Sequence, residues 1–190
     1  MSKLTRTTTT VLVTLAAAAV IAPTAASAKP PAGTASLRGS AHLIFPPTPD
    51  DEVNFTVDAH SRYAGSGPFP SESWGTARVS HVFTGEHPGE IWYALAVDCL
   101  MTGPDTATVT GVVTTASPDG QSLIGTRLGF SVADTGRHDT VGFTGVQGTA
   151  ELPKCMAPAA FFQVRDGDYR VTDANHWGTG MSASPIAEQG

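Results

Sequence analysis

Apolar and polar residues alternate along much of this chain, and a period of two is typical of half-buried β-strands. The clearest example is Glu52–His60, in which every second residue is apolar. Glu90–Leu100 has the same period, and its apolar set runs from Ile91 to Cys99. The pattern therefore predicts two strands that each have one buried face, and it places Cys99 on the face that points into the core.

Six further segments have strand-like composition, and turns rich in Gly, Pro and Asp separate them. These segments are Leu37–Phe45, Gly75–Phe83, Ala107–Thr115, Arg127–Ala133, Val141–Thr144 and Tyr169–Thr172. No window long enough for a surface helix has apolar residues at helical spacing. We therefore predict a single all-β domain of about 7–8 strands, folded as an antiparallel β-sandwich or a small β-barrel.

The first 28 residues have the three parts of a cleavable secretory signal peptide. Lys3 and Arg6 give a positive start, Val11–Ile21 is apolar, and Ala26-Ser27-Ala28 provides small residues for cleavage. The alternative is a membrane anchor, but the apolar stretch is shorter than the about 20 residues that span a bilayer. Because no lipid or sortase attachment signal is found, we expect a secreted, extracellular protein without a membrane anchor after cleavage.

The rest of the chain divides into a short linker at 29–35, a β domain at 36–173 and a tail at 174–190. The tail has no periodicity, which predicts disorder. Removal of residues 1–28 takes away two of the eleven basic residues and none of the seventeen acidic ones, which leaves a net charge of −8. An acidic balance argues against nucleic acid as a partner, since phosphates reward clustered Lys and Arg.

The two cysteines, Cys99 and Cys155, both lie in the predicted mature domain. An even count in an exported chain favours a disulfide, and two cysteines allow one pairing. In the chain-entropy model, closing a loop of this length contributes about 4 kcal/mol to stability. The alternative is a pair of buried free thiols, and the spacing excludes a redox CxxC motif.

Metal binding is the first chemistry to consider, because Asp58 and His60 lie two residues apart on one polar strand face. A zinc site would need a third ligand, which His81, His87 or His138 could supply. His81 shares its strand face with Ala77, Val79 and Phe83, which favours a hydrogen-bonded core histidine instead. We therefore assign no metal ligand, no catalytic residue and no cofactor.

The segment from Asp134 to Asp139 is the densest polar cluster between two predicted strands. Its carboxylates suit a hairpin turn in which they accept hydrogen bonds from backbone N–H groups. The alternative is an ion site, although the spacing does not match an EF-hand. The polar residues that are candidates for a site are Asp58, His60, Asp134, Arg137, His138 and Asp139.

Two partial enzyme motifs and one set of aromatic residues suggest further functions. The nearest match to a serine-hydrolase elbow is Gly129–Ala133, but it breaks the motif and places Ser131 within a strand. Asp98 paired with Asp58 or Glu90 would imitate the carboxylates of a glycosidase. Flat aromatic rings pack on sugars, and the chain has three tryptophans: Trp74, Trp92 and Trp177.

Several segments, in order along the chain, resemble actinobacterial secreted proteins known as repetin-like. They are Phe55–His60, Val97–Leu100, Ala107–Val113, Arg127–Val132, Asp134–Asp139, Cys155–Pro158 and Gly167–Tyr169. The resemblance implies a small exported β domain. The family has no established activity, so no catalytic residue is carried over, and the chain has no EF-hand that would imply calcium.

Three functions remain in competition. The first is a non-catalytic binding or envelope-associated module; a barrel interior lined by Phe55, Tyr93, Leu95 and Phe130 would hold a small apolar ligand, whereas a sandwich would fill that space. The second is a secreted hydrolase, metal-dependent or not, that uses Asp58, His60 and His138. The third is a carbohydrate or cell-wall polysaccharide binder that uses exposed tryptophans.

Overall fold

The computed structural model describes residues 33–64, 68–144 and 152–174. The predicted signal peptide, most of the predicted linker and nearly all of the tail lie outside the described residues. The strands are β1 (Gly33–Leu43), β2 (Glu52–Tyr63), β3 (Glu72–Phe83), β4 (Gly89–Thr102), β5 (Thr106–Ala116), β6 (Arg127–Ala133), β7 (Thr140–Phe143) and β8 (Phe162–Thr172). A 3₁₀ helix, Pro118–Leu123, lies between β5 and β6.

Each strand pairs antiparallel with the next, and β8 returns to pair with β1, so the sheet closes into a barrel. In β2, for example, Val57 lies opposite Gly39 on one side and Ala77 on the other. The all-β prediction is therefore confirmed, and of the two predicted architectures the chain adopts the barrel. Because strand directions alternate, connections β1–β2, β3–β4, β5–β6 and β7–β8 share one end of the barrel.

The predicted strands match the observed ones most closely where alternation is unbroken, and β6 spans the predicted residues. β1 begins at Gly33, so residues 33–35 of the predicted linker belong to the first strand. β8 begins at Phe162, well before the predicted start. The register of β8 against β1 shifts near Leu43, and this irregularity interrupts the alternation that a sequence pattern would detect.

Inward-facing residues of all eight strands form one apolar cluster in the interior. Tyr169 shows how β8 and β1 fit together. Gly39 lies opposite Tyr169 in the ladder, and a side chain at Gly39 would collide with the Tyr169 ring and backbone. Tyr169 is 2% exposed, and its hydroxyl donates a hydrogen bond to the carbonyl oxygen of Phe55 over 3.0 Å. Glycine at position 39 therefore makes room for the Tyr169 ring.

Cys99 and Cys155 form a disulfide with their Cα atoms 5.3 Å apart, as predicted. Cys99 is buried, as predicted, but it does not belong to the interior cluster. A bulge between Val97 and Cys99 shifts the register, so that Cys99 lies opposite Thr110 and the next residue, Leu100, joins the core. Cys99 is buried because the segment that carries Cys155 covers the outer surface of the barrel.

Candidate functional site

The barrel contains a cavity of about 490 Å³ at the end where β1 joins β2 and β3 joins β4; we call this the open end. The lining is mostly apolar. It comprises Phe45, Val53, Val79, His81, Phe83, Ile91, Tyr93, Asp119, Gly120, Ser122, Leu123, Phe143 and Thr144. This volume lies within the range of about 300–1,000 Å³ that small-molecule sites in proteins occupy.

The cavity ends where the packed interior begins. Of the four residues predicted to line a ligand-binding interior, Tyr93 lines the cavity. Phe55, Leu95 and Phe130 instead belong to the packed core, and each is at most 3% exposed. The rings of Phe55 and Phe143 lie 4.9 Å apart, so Phe55 supports the cavity wall from below. The interior of the barrel is therefore packed with side chains beyond the cavity and empty within it.

His81 in the cavity wall forms a polar contact with Asp51, which does not itself line the cavity. His81 Nε2 donates to Asp51 Oδ2 over 2.8 Å, which agrees with the prediction of a hydrogen-bonded interior histidine. Asp51 Oδ1 accepts from the backbone N–H of Thr84 over 2.9 Å. The Thr84 N–H, with hydroxyl donation from Thr48 and the contact with His81, lowers the pKa of Asp51 to about 2. The carboxylate thereby ties the β1–β2 loop to the β3–β4 loop.

Tyr93 is the one phenol in the lining of the cavity. Burial raises its pKa to about 12. No hydrogen bond joins its hydroxyl to any of the described residues, so this group can donate to or accept from a molecule inside the cavity.

The 3₁₀ helix forms one flank of the cavity because Ser117 attaches it to β4. The N–H of Ser117 donates to the carbonyl of Trp92 over 2.8 Å, and Ser117 Oγ accepts from the N–H of Trp92 over 3.1 Å. This pair continues the β4 ladder beyond the end of β5. It brings Asp119 and Leu123 to the cavity, with Asp119 on the exposed side.

Asp58 and His60 lie on the outer surface of β2, away from the cavity. Asp58 Oδ1 accepts from His60 Nε2 over 2.8 Å and from Arg38 Nε over 3.0 Å. His60 stacks on Trp74, with ring centroids 5.6 Å apart. His81 faces the interior, so it does not join them as the third ligand considered above. His138 lies in the β6–β7 turn, and no hydrogen bond links it to Asp58 or His60.

The β6–β7 turn has the capping role predicted for its carboxylates. Asp139 Oδ1 accepts from the N–H of Thr135 over 2.9 Å. Asp139 Oδ2 also accepts from the N–H of Tyr169 over 3.0 Å, and Asp134 Oδ2 accepts from the N–H of Val171 over 3.0 Å. These last two bonds reach β8, where the β7 ladder has already ended. The turn therefore completes the barrel closure, a role that sequence reasoning missed.

The remaining enzyme candidates are engaged in structural contacts. Ser131 Oγ donates to the carbonyl of Pro158, under the segment that covers β6. Asp98 accepts from Thr110 Oγ1 over 2.6 Å and from Arg127 Nε over 2.8 Å. Both groups hold the covering segment and the neighbouring strands together.

The two described tryptophans do not form a common sugar-binding platform. Arg78 lies over the Trp92 ring, with its guanidinium carbon 4.0 Å from the centroid. Trp92 is opposite Ser80 in the ladder, which is about 20 Å along β3 from Trp74. Trp74 is 40% exposed, and Trp177 lies outside the described residues.

Across residues 33–64, 68–144 and 152–174, no three His, Cys, Asp or Glu side chains are grouped so that they could hold a metal ion. In the same ranges, no helix has the length and apolar character needed to cross a membrane.

No family model matches the chain, and no curated protein or solved structure matches it. The resemblance to the repetin-like secreted proteins therefore stays a prediction. The function of the cavity is therefore inferred from the residues that line it.

Proposed function

We propose that this protein is an exported, non-catalytic binding module that holds one small, largely apolar molecule in the cavity at the open end of the barrel. The observation that carries the proposal is the 490 Å³ cavity whose walls are mostly aromatic and aliphatic side chains. A barrel of eight strands is wide enough either to fill with side chains or to hold one small ligand. This barrel does both, one at each end.

The surroundings of the cavity support an apolar ligand. Ile44, Ile124 and Phe161 are 37%, 46% and 61% exposed, and all three lie in connections at the open end. Exposed apolar side chains around a pocket are typical of binding sites. These three side chains lie outside the lining of the cavity and make the outer surface of the open end more apolar.

The non-catalytic part of the proposal rests on the state of the polar groups. Asp51 is 7% exposed and already bonded to His81 and Thr84, so it positions loops rather than a reacting atom. Ser131, Asp98 and Asp139 are likewise engaged in bonds to the protein itself. Export is supported by the leader sequence and is consistent with the Cys99–Cys155 disulfide.

The experiment uses N-phenyl-1-naphthylamine, an uncharged dye whose fluorescence rises in apolar surroundings. We expect the purified protein to enhance its fluorescence with saturation at one dye per chain. Val79→Phe fills the cavity, because Val79 lines it, and is expected to weaken binding at least about tenfold.

The matched control is Val82→Phe, which makes the same substitution on β3 three residues away, on the outer surface. It should bind the dye as the unchanged protein does. Equal dye binding by the two variants, each shown to be folded by its circular dichroism spectrum, would remove the cavity from the proposal.

A further inference from the structure

We infer that the ligand of this cavity is an apolar molecule with a positively charged head, such as a hydrophobic ammonium compound, rather than a fatty acid or another organic anion. The inference rests on the proposed function, because it names the chemical class of ligand for the same cavity. It follows from the kinds of ring and charge that surround the cavity.

Five of the thirteen lining residues carry aromatic rings. The five rings are those of Phe45, His81, Phe83, Tyr93 and Phe143. His81 stacks on Phe83 with centroids 4.1 Å apart and meets the edge of Phe45 at 5.7 Å, so these rings form a continuous wall. The faces of such rings attract cations and repel anions because of their quadrupole.

The charged group in the lining is a carboxylate. Asp119 has no hydrogen bond or ion pair with the described residues, so its negative charge is available to a ligand head. No Lys or Arg lines the cavity. His81 is the lining residue that could carry a positive charge, and its Nε2 is already 2.8 Å from the Asp51 carboxylate. An organic anion would therefore meet no unbalanced positive group.

The open end is acidic beyond the lining as well. Four further exposed carboxylates lie on its loops and strand ends: Asp50, Glu52, Glu86 and Glu90. Of the nearby basic groups, Arg127 is paired with Asp98 at 2.8 Å, whereas Arg165 contacts the carbonyl of Pro49 at 3.5 Å and keeps its positive charge, so the exposed carboxylates still outnumber it. Charges of one sign around a cleft raise the local concentration of ligands of the opposite sign.

The test compares three probes with the same naphthalene body: (2-naphthylmethyl)trimethylammonium, 2-naphthylmethanol and 2-naphthylacetate. Isothermal titration calorimetry of the full chain measures each Kd. We expect the order ammonium, alcohol, carboxylate from tightest to weakest, with about tenfold or more between the ammonium and the carboxylate. The difference should shrink at high salt, because Asp119 is exposed.

Asp119→Asn should weaken binding of the ammonium probe about threefold and leave binding of the alcohol unchanged. Asp105→Asn is the matched control, since it removes the same charge from the β4–β5 turn at the other end of the barrel. A threefold loss in both variants would assign the effect to net charge and overturn the role of Asp119.

The failures of the two proposals can be told apart. If the alcohol binds but the carboxylate binds as tightly as the ammonium or more tightly, the cavity is a binding site and the inferred ligand class is wrong. If the alcohol binds more tightly than the ammonium, the inference of a cationic head is also wrong. If the three probes all fail to bind and the uncharged dye also fails to bind, the proposed function itself is wrong.

Discussion

The two ends of the barrel are made by the same eight strands, yet they have different interiors. At the end opposite the open end, which we call the closed end, Tyr63, Leu100 and Val132 are each at most 1% exposed and fill the space between the strands. At the open end, the inward-facing residues His81 of β3 and Tyr93 of β4 line the cavity.

The connections differ in the same way. Gly103–Asp105 joins β4 to β5 at the closed end with three residues, whereas β5 and β6 are joined at the open end through a 3₁₀ helix. A polar bond also seals the closed end, because Thr102 Oγ1 donates to Asp173 over 2.8 Å. Longer loops on a rigid scaffold are where proteins place binding residues. The densely packed interior and the cavity that we propose as the binding site therefore lie at opposite ends of the barrel.

The largest expected effect is a difference between two leucine truncations. Leu100→Ala at the closed end removes a side chain that is 0% exposed within the core cluster, and it should lower the free energy of unfolding by about 3 kcal/mol. Leu123→Ala at the open end enlarges a cavity that already exists, so the loss should be under about 1 kcal/mol. Urea unfolding of both variants measures the two values. Equal losses would mean that the ends do not differ in packing.

The next effect concerns the seam between β7 and β8. Asp139→Asn should lower the free energy of unfolding by about 2 kcal/mol, because the amide cannot replace both acceptor oxygens that bind Thr135 and Tyr169. Asp119→Asn, the same change at an unbonded carboxylate of the open end, should stay within about 0.5 kcal/mol of the unchanged protein. A loss as large in Asp119→Asn would show that the seam is not special.

Most of the barrel wall was predictable from the sequence, because apolar residues recur at every second position of a strand that has one buried face. β2 shows this directly, because its inward residues from Val53 to Ala59 are apolar and the residues between them are not buried. The failures lie where the period breaks. The bulge at Cys99 turns one residue to the outer face, and no local pattern announces a bulge.

The candidate site was less predictable, because it depends on contacts between distant parts of the chain. His81 was recognisable as an interior histidine, yet its partner Asp51 lies thirty residues earlier, at the end of a proline-rich loop. The turn residues Asp134 and Asp139 were recognisable as caps, but their bonds to β8 depend on barrel closure. The cavity arises because the interior side chains near the loops do not fill the volume that closure creates.

The smallest effect concerns Asp51, which ties two loops of the open end. It tests whether these bonds contribute to the stability of the protein. Its pKa is lowered from 3.8 to about 2 in the folded protein, so its carboxylate contributes stability above about pH 4. That contribution is lost as the pH falls from about 4 through 2, since the folded state must then accept the proton. Asp51→Asn should therefore have a lower midpoint of thermal unfolding than the unchanged protein at pH 6, and the two curves should converge near pH 2.

Asp50→Asn, the exposed neighbour, is the control and should follow the unchanged protein throughout. If Asp51→Asn and the unchanged protein differ equally at pH 6 and pH 2, the bonds from Thr84 and His81 do not depend on the charge of Asp51, and the loops of the open end are held by packing alone.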